Sequence, residues 1–195
     1  DIGHDLPPQD IVHAARALVA SAPRFPTGTV HVVVVDPGVG PSRAPIALVA
    51  GGHVFVGPDN GVFGLVAERL GGATMCRAIG PHPHIAPTQS ATFHGRDLFA
   101  PTGAALASGR LELTDVGPAH HPHLLTMEPQ SSTTEQGVKG QIVLIDRFGN
   151  LVTNIREDEL ASMSSDIVVA FEGHALPLST TYGDVALGAP LALIG

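Results

Sequence analysis

The sequence predicts an α/β architecture: an N-terminal α/β sheet domain sandwiched by helices, followed by a smaller, barrel-like β-rich domain. Three observations carry that prediction. A β-branched run, Val30 to Val35, ends on Asp36 and the turn-forming Pro37 to Gly40. Strand-like and helix-like stretches alternate up to about residue 125, the pattern of a layered α/β domain. Beyond that point the chain consists mostly of short apolar runs broken by Gly, Asn and Pro. The implied boundaries are 1–125 for the first domain, 126–137 for a linker and 138–195 for the second.

Taken in order, Pro7 and Pro8 lead into a helix begun at Asp10 or Gln9, in which Ile11, Ala14, Ala15, Leu18, Val19 and Ala22 form one apolar stripe. The turn FPTG at 25–28 feeds the valine run, which at residues 29–36 reads as a strand buried on both faces. Pro45–Ala50 and His53–Val56 flank Gly51-Gly52 and read as a hairpin. The GPDNG turn at 57–61, with Asn60-Gly61 suited to positive φ, precedes a short amphipathic helix over 62–70 stopped by Gly71-Gly72. ATMCRAI at 73–79 is a further strand. TFHGRD at 92–97 stands immediately before a helix that runs to Gly109, with Pro101 tolerated only near its first turn. Residues 115–137 are rich in Pro, His, Ser and Thr without periodicity and read as a connection. VKGQIVLIDRFGNLVTNI, DIVVAFEGHALPL and APLALIG supply the later strands, with EDELASM as the one helical candidate among them.

Composition narrows the function classes. The chain has 195 residues, 44% hydrophobic and 14% charged, enough for one large or two modest cores. A net charge of −8 argues against nucleic acid or an anionic membrane as partner, and a cationic small molecule is compatible with it. No apolar run approaches a membrane span. The single cysteine, Cys76, excludes an intramolecular disulfide, and the expected compartment is the reducing cytoplasm. Asp1 and the segment after it read as the middle of a domain, and PLALIG reads as a strand with nothing to pair it, so the expectation is a chain cut at both ends.

Three polar clusters interrupt the apolar background. The first, Asp36 to Arg43, sits just past a strand end, where open α/β sheets place their sites; otherwise Asp36 caps a turn and Arg43 is a solvated charge. The second contains His94, Arg96 and Asp97 at a helix start, where free N–H groups favour anions; the bland alternative is a helix-end charge and a loop histidine. The third, DRFGNLVTNI, puts Asp146 and Phe148 on the approach to Gly149-Asn150, and is otherwise simply a turn. Eleven histidines raise the question of a metal. The dense tracts PHPH (81–84) and HHPH (120–123) lack cysteine partners and the spacing of an HExxH helix, so no metal site is assigned. No Walker loop, GxGxxG or GxSxG is present.

Four motifs in this order, VHVVVVDPGVGPSR, VFVGPDNGVF, TFHGRDLFAP and IDRFGNLVTNI, resemble the S-adenosyl-L-methionine hydroxide adenosyltransferases, relatives of the fluorinating and chlorinating enzymes. The resemblance covers essentially the whole chain. It implies hydrolysis of S-adenosyl-L-methionine (SAM) to adenosine and methionine, with SAM as substrate and no cofactor. It further implies a homotrimer with sites between subunits. The family's Asp-Arg-His set falls on Asp36, Arg43 and His94. By the same resemblance Asp146, Phe148, Asn150, Phe93, Gly95 and Asn60 are candidates for the substrate pocket. The halogenating relatives carry tyrosine at the position of Asp36, threonine at Val39, a halide-binding serine at Gly95 and a long insertion missing here, which places this chain nearer the water-using branch. The family's opening TDFG-like motif and closing Ser-containing segment do not occur in this sequence, and Ala105 stands where many relatives have histidine. The alternatives are a non-catalytic SAM- or adenosine-binding module and a halide-dependent 5′-halo-adenosine synthase.

Overall fold

The computed structural model describes residues 1–85, 90–124, 130–135, 137–161, 163 and 167–194. The chain divides into two compact units, Asp1–Met127 and Glu128–Gly195.

In the first unit, helix α1 (Ile11–Ser21) starts at Asp10, whose carboxylate accepts the His13 N–H at 2.8 Å, the usual way a cap satisfies an orphan donor. Strand β1 (Val30–Val32) is followed by β2 (Pro45–Ala50) and β3 (His53–Pro58), which pair antiparallel across Gly51-Gly52. Both glycines have positive φ, 55° and 78°, as a tight hairpin turn demands. Helix α2 (Gly64–Arg69) and strand β4 (Ala73–Ala78) come next, and the sheet order is β1-β3-β2-β4 with only β1 and β3 parallel.

The sheet is covered on both faces. Ala14, Ala15 and Leu18 of α1 and Val66 and Ala67 of α2 pack with Leu48, Phe55 and Cys76 on one side. Phe99 and Ala105 pack with Ala47, Val56 and Val116 on the other, carried by a π-helical turn (Gly95–Phe99) and helix α3 (Ala100–Ala107). His31 and His53 are buried within the sheet, Nε2 and Nδ1 3.2 Å apart, with His31 stacked on Phe55. Burial, and secondarily the neighbouring His53, lowers the His31 pKa below 6.5.

One expectation is corrected. The valine run is not a strand buried on both faces: β1 covers only Val30–Val32, lies at the edge of the sheet, and leaves Val32 and Val34 42% and 46% exposed. Local apolarity cannot reveal that a strand has a partner on one side only. Described parts of the stretch read as a connection also make backbone hydrogen bonds. Pro118 and His120 bond the backbone of β4, with the Ala78 N–H on Pro118 O and the His120 N–H on Cys76 O, each at 3.0 Å. Strand β5 (Ser132–Thr134), inside 126–137, pairs with β6 (Gly137–Lys139), which begins where that stretch ends.

The described strands of the second unit form three small sheets. Besides β5 and β6, β7 (Ile142–Ile145) pairs with β8 (Leu151–Thr153), and β9 (Val168–Phe171) and β10 (His174–Ser179) form a hairpin with β11 (Ala192–Leu193) alongside β10. The short helix α4 (Glu157–Leu160) follows β8. Among the described residues no helix is long and apolar enough to cross a membrane.

Candidate active site

The chain leaves β1, turns through residues 37–42 and returns into β2, which sets Asp36 and Arg43 side by side at the strand end. Arg43 Nε lies 3.0 Å from each Asp36 oxygen, and Arg43 Nη2 also bonds Oδ2. Both side chains are 7% exposed, so this is a nearly dry ion pair in which each charge depends on the other. Arg43 further lies over the Phe99 ring, 5.1 Å from its centroid, an arrangement that favours a guanidinium.

His94 arrives from the other side of the sheet. Its element approaches β1 closely because two glycines face the strand. A Cβ on Gly95 would sit 3.1 Å from Val34 Cγ1, and one on Gly103 2.4 Å from Val32 Cγ2. The π-helical turn, closed by the Ala100 N–H on the Gly95 carbonyl, buries Phe99 completely and leaves His94 at its start. Arg43 Nη2 is then 2.8 Å from His94 Nδ1. A guanidinium has no acceptor, so Nδ1 accepts and the neutral ring carries its hydrogen on Nε2. Arg43 Nη1 is buried with no hydrogen-bond partner. The cluster therefore combines three different polar groups: a carboxylate, a buried guanidinium N–H without a partner and an imidazole N–H.

Arg43 and His94 line a cavity of about 1000 Å³, whose other walls include Pro41, Pro45, Ile79, Pro81, His82, Ile85 and Leu98. The PHPH tract that composition left without a role thus supplies wall residues. No signal short of the fold indicated that it would meet the Arg43 loop. Cys76 is no competing nucleophile: burial first, and the Asp59 charge second, pushes its thiol up to about 11. Among the described residues no group of three or more His, Cys, Asp or Glu is placed to hold a metal.

The remaining predicted site residues behave differently from one another. Phe93, beside His94, is 60% exposed with Arg96 over its ring. Arg96 and Asp97 lie within the π-helical turn that leads into α3, where the Asp97 carboxylate takes the Ser90 N–H. Asn60 donates from Nδ2 to the Val35 carbonyl at 2.8 Å and accepts the Val62 N–H on Oδ1, and of its turn only Gly61 takes positive φ. In the second unit, Asp146 holds the β7–β8 turn by accepting the Phe148 and Asn150 N–H groups and the Asn150 amide. Those bonds, the Asn150 backbone first, lower the Asp146 pKa. Phe148 projects from that turn 83% exposed. No local pattern pointed to Asp59, whose carboxylate bonds His120 Nε2 and accepts the His123 N–H, each at 2.7 Å.

Comparison with known proteins adds the following. Residues 1–117 match the SAM hydroxide adenosyltransferase N-terminal domain and residues 140–195 the corresponding C-terminal domain. The chain is 38% identical over its whole length to a protein of Thermus thermophilus named (R)-S-adenosyl-L-methionine hydrolase, of which it covers 75%. A fluorinase of an Actinoplanes species is 28% identical over the whole chain, which covers 76% of it. An uncharacterized conserved protein of Thermotoga maritima, known from its crystal structure, superposes with a TM-score of 0.88 at 35% identity, over 99% of this chain and 76% of that one.

Proposed function

This chain belongs to the SAM hydroxide adenosyltransferase family, and we propose that it hydrolyses SAM to adenosine and L-methionine. The observation that carries the reading is the hydrogen-bonded Asp36–Arg43–His94 cluster, of which Arg43 and His94 line a cavity. Water attacks the ribose C5′, the C5′–S bond breaks with its electron pair going to sulfur, and methionine leaves as a neutral thioether. No acid is needed at the leaving group, so the catalytic burden falls on the nucleophile, because free water has a pKa near 15.7.

The three groups divide that work by what their hydrogen bonds leave open. Asp36 retains acceptor lone pairs and takes the proton, a contribution typically worth about 10²–10⁴ in rate. Arg43 Nη1 and His94 Nε2 are donors, and they stabilise hydroxide character as it develops. His94 serves as orienter rather than base while its Nδ1 is occupied by Arg43. Hydroxide and sulfonium neutralise one another in the transition state, which a pocket poor in water favours. Water rather than halide as nucleophile is supported by Asp36 and Gly95, where the halogenating relatives carry tyrosine and serine, and by 38% against 28% identity.

Asp146, Phe148 and Asn150 belong to the proposed substrate pocket by family resemblance, with Phe148 as the aromatic face available for a base. A homotrimer with sites between subunits completes the proposal. It is supported by apolar side chains left uncovered in both units, among them Val34 and Phe93 in the first and Phe148, Val168 and Leu187 in the second. The expected location is the cytoplasm, where SAM is made available to such an enzyme and a free cysteine stays reduced.

The test is incubation of the purified protein with each sulfonium form of SAM and chromatographic identification of the nucleoside. Adenosine, with no 5′-halo-adenosine in chloride buffer, is the expected product. Asp36→Asn, Arg43→Lys and His94→Ala should each lower turnover, by about 10²–10⁴ for Asp36→Asn. Wild-type turnover in all three folded variants removes the mechanism, and SAM binding without product leaves the binding-module alternative.

A further inference from the structure

The loop that carries Asp36 and Arg43 is gripped at both ends by one turn. The Asn60 side chain donates to the carbonyl of Val35, the residue before Asp36, at 2.8 Å. One residue earlier, the Asp59 N–H donates to the carbonyl of Ala44, the residue after Arg43, at 2.9 Å. Asn60 Oδ1 meanwhile accepts the Val62 N–H at 3.2 Å, so the amide is held at both ends by backbone and its plane is fixed. Asp59 is anchored in turn by His120 and the His123 N–H.

We infer that Asn60 is a positioning residue for the Asp36–Arg43 pair, acting through the Val35 peptide rather than by touching substrate. The Val35 carbonyl belongs to the peptide plane that leads into Asp36, so its orientation sets the direction in which the carboxylate leaves the chain. Released from Asn60, that plane rotates and the Asp36 oxygens lose register with the Arg43 fork. A bidentate pair is more sensitive to this than a single hydrogen bond, since both contacts depend on one relative orientation. A displacement of about 1 Å at a reacting group costs on the order of 10²-fold in rate. This assignment departs from the family-based expectation that Asn60 lines the substrate pocket, because its carbonyl and one N–H are already committed to backbone.

Two variants separate the roles. Asn60→Asp keeps the acceptor for the Val62 N–H, and with it the turn, but removes the donor to Val35. Asn60→Ala removes both. The first readout is the Arg43 Nε–H resonance and its exchange with water, observed by NMR without substrate. Both variants should speed that exchange relative to wild type. The second readout, which rests on the hydrolase reading, is adenosine formation. We expect kcat to fall about 10- to 100-fold in both variants with KM unchanged within about twofold. Wild-type exchange and kcat in Asn60→Asp would overturn the inference and leave Asn60 a turn former only. A raised KM with unchanged kcat would overturn it in favour of a substrate contact. If the wild-type protein yields no adenosine, the hydrolase reading fails on its own, and the Arg43 exchange rates still decide the role of Asn60.

Discussion

The two units of this chain are stabilised by different means. In Asp1–Met127, Phe55, Leu48, Val56, Val66 and Phe99 are all completely removed from solvent, in two layers on either side of one sheet. Among the described residues of Glu128–Gly195 no apolar side chain is buried, and the one buried residue is Asn154. What orders that unit instead is polar: Asp146 on its turn, Asn154 on the Gln141 N–H, Glu159 on the Arg156 N–H, and Asp184 on the N–H groups of Thr180 and Thr181. The difference follows from size, since a short segment cannot enclose much apolar volume. It also bears on the chemistry. The proposed water-activating groups stand on the unit with the rigid core, where sub-ångström placement is maintained, and the candidate base-stacking aromatic stands on a hydrogen-bonded turn.

The sharpest way to break this comparison is paired truncation. Phe55→Ala should cost the first unit about 3–5 kcal/mol, whereas Phe148→Ala should change stability by less than about 0.5 kcal/mol in the isolated chain. Chemical denaturation with unit-resolved hydrogen exchange measures both, and a comparable loss in the two variants would erase the contrast. A smaller effect is expected at Gly103→Ala. The new methyl meets a stiff Val32 side chain, and the net loss should be about 1–2 kcal/mol together with reduced adenosine formation, since α3 continues the π-helical turn that begins at His94. Its neutral behaviour in both assays would show that the close helix–strand approach is dispensable.

The smallest effect is in pH. His31 is held neutral in the folded state, so the unfolded chain binds the extra proton and the first unit loses stability as pH falls below about 6.5. The Asp146 and Asp184 pKa values are lowered as well, by the hydrogen bonds their carboxylates accept. Their stabilisation is present above the usual 3.8 and is lost only as pH falls below it. Acid titration followed by hydrogen exchange should therefore weaken the first unit at a higher pH than it weakens those two turns, and His31→Phe should flatten the first slope.

Much of this organisation was legible in the amino-acid order. Gly51-Gly52 between apolar runs specified the β2–β3 hairpin, and Asp10 before an apolar stripe specified the start of α1. Asp36 and Arg43 were conspicuous because two charges followed a valine run, and their pairing with each other needed only a short loop. His94 could be joined to them only through family resemblance, because 51 residues separate it from Arg43 and no local pattern encodes that contact. The edge position of β1 was not legible either, since strand order is a property of the whole sheet. Nor was the use of Asn60, because an Asx side chain in a Gly-rich turn looks the same whether it holds its own turn or a neighbouring loop.

Gly95 and Gly103 carry a last consequence. On the helical side of the helix–strand approach there is no side chain, so Val34 and Val32 meet the backbone of the π-helical turn and of α3 directly. A redesign that seeks room for a bulkier nucleophile cannot obtain it by trimming the helical side, which is already reduced to glycine. Adding a single methyl group at either glycine would act instead as a wedge, and the spacing of the reacting groups would change before anything in the pocket itself had been altered.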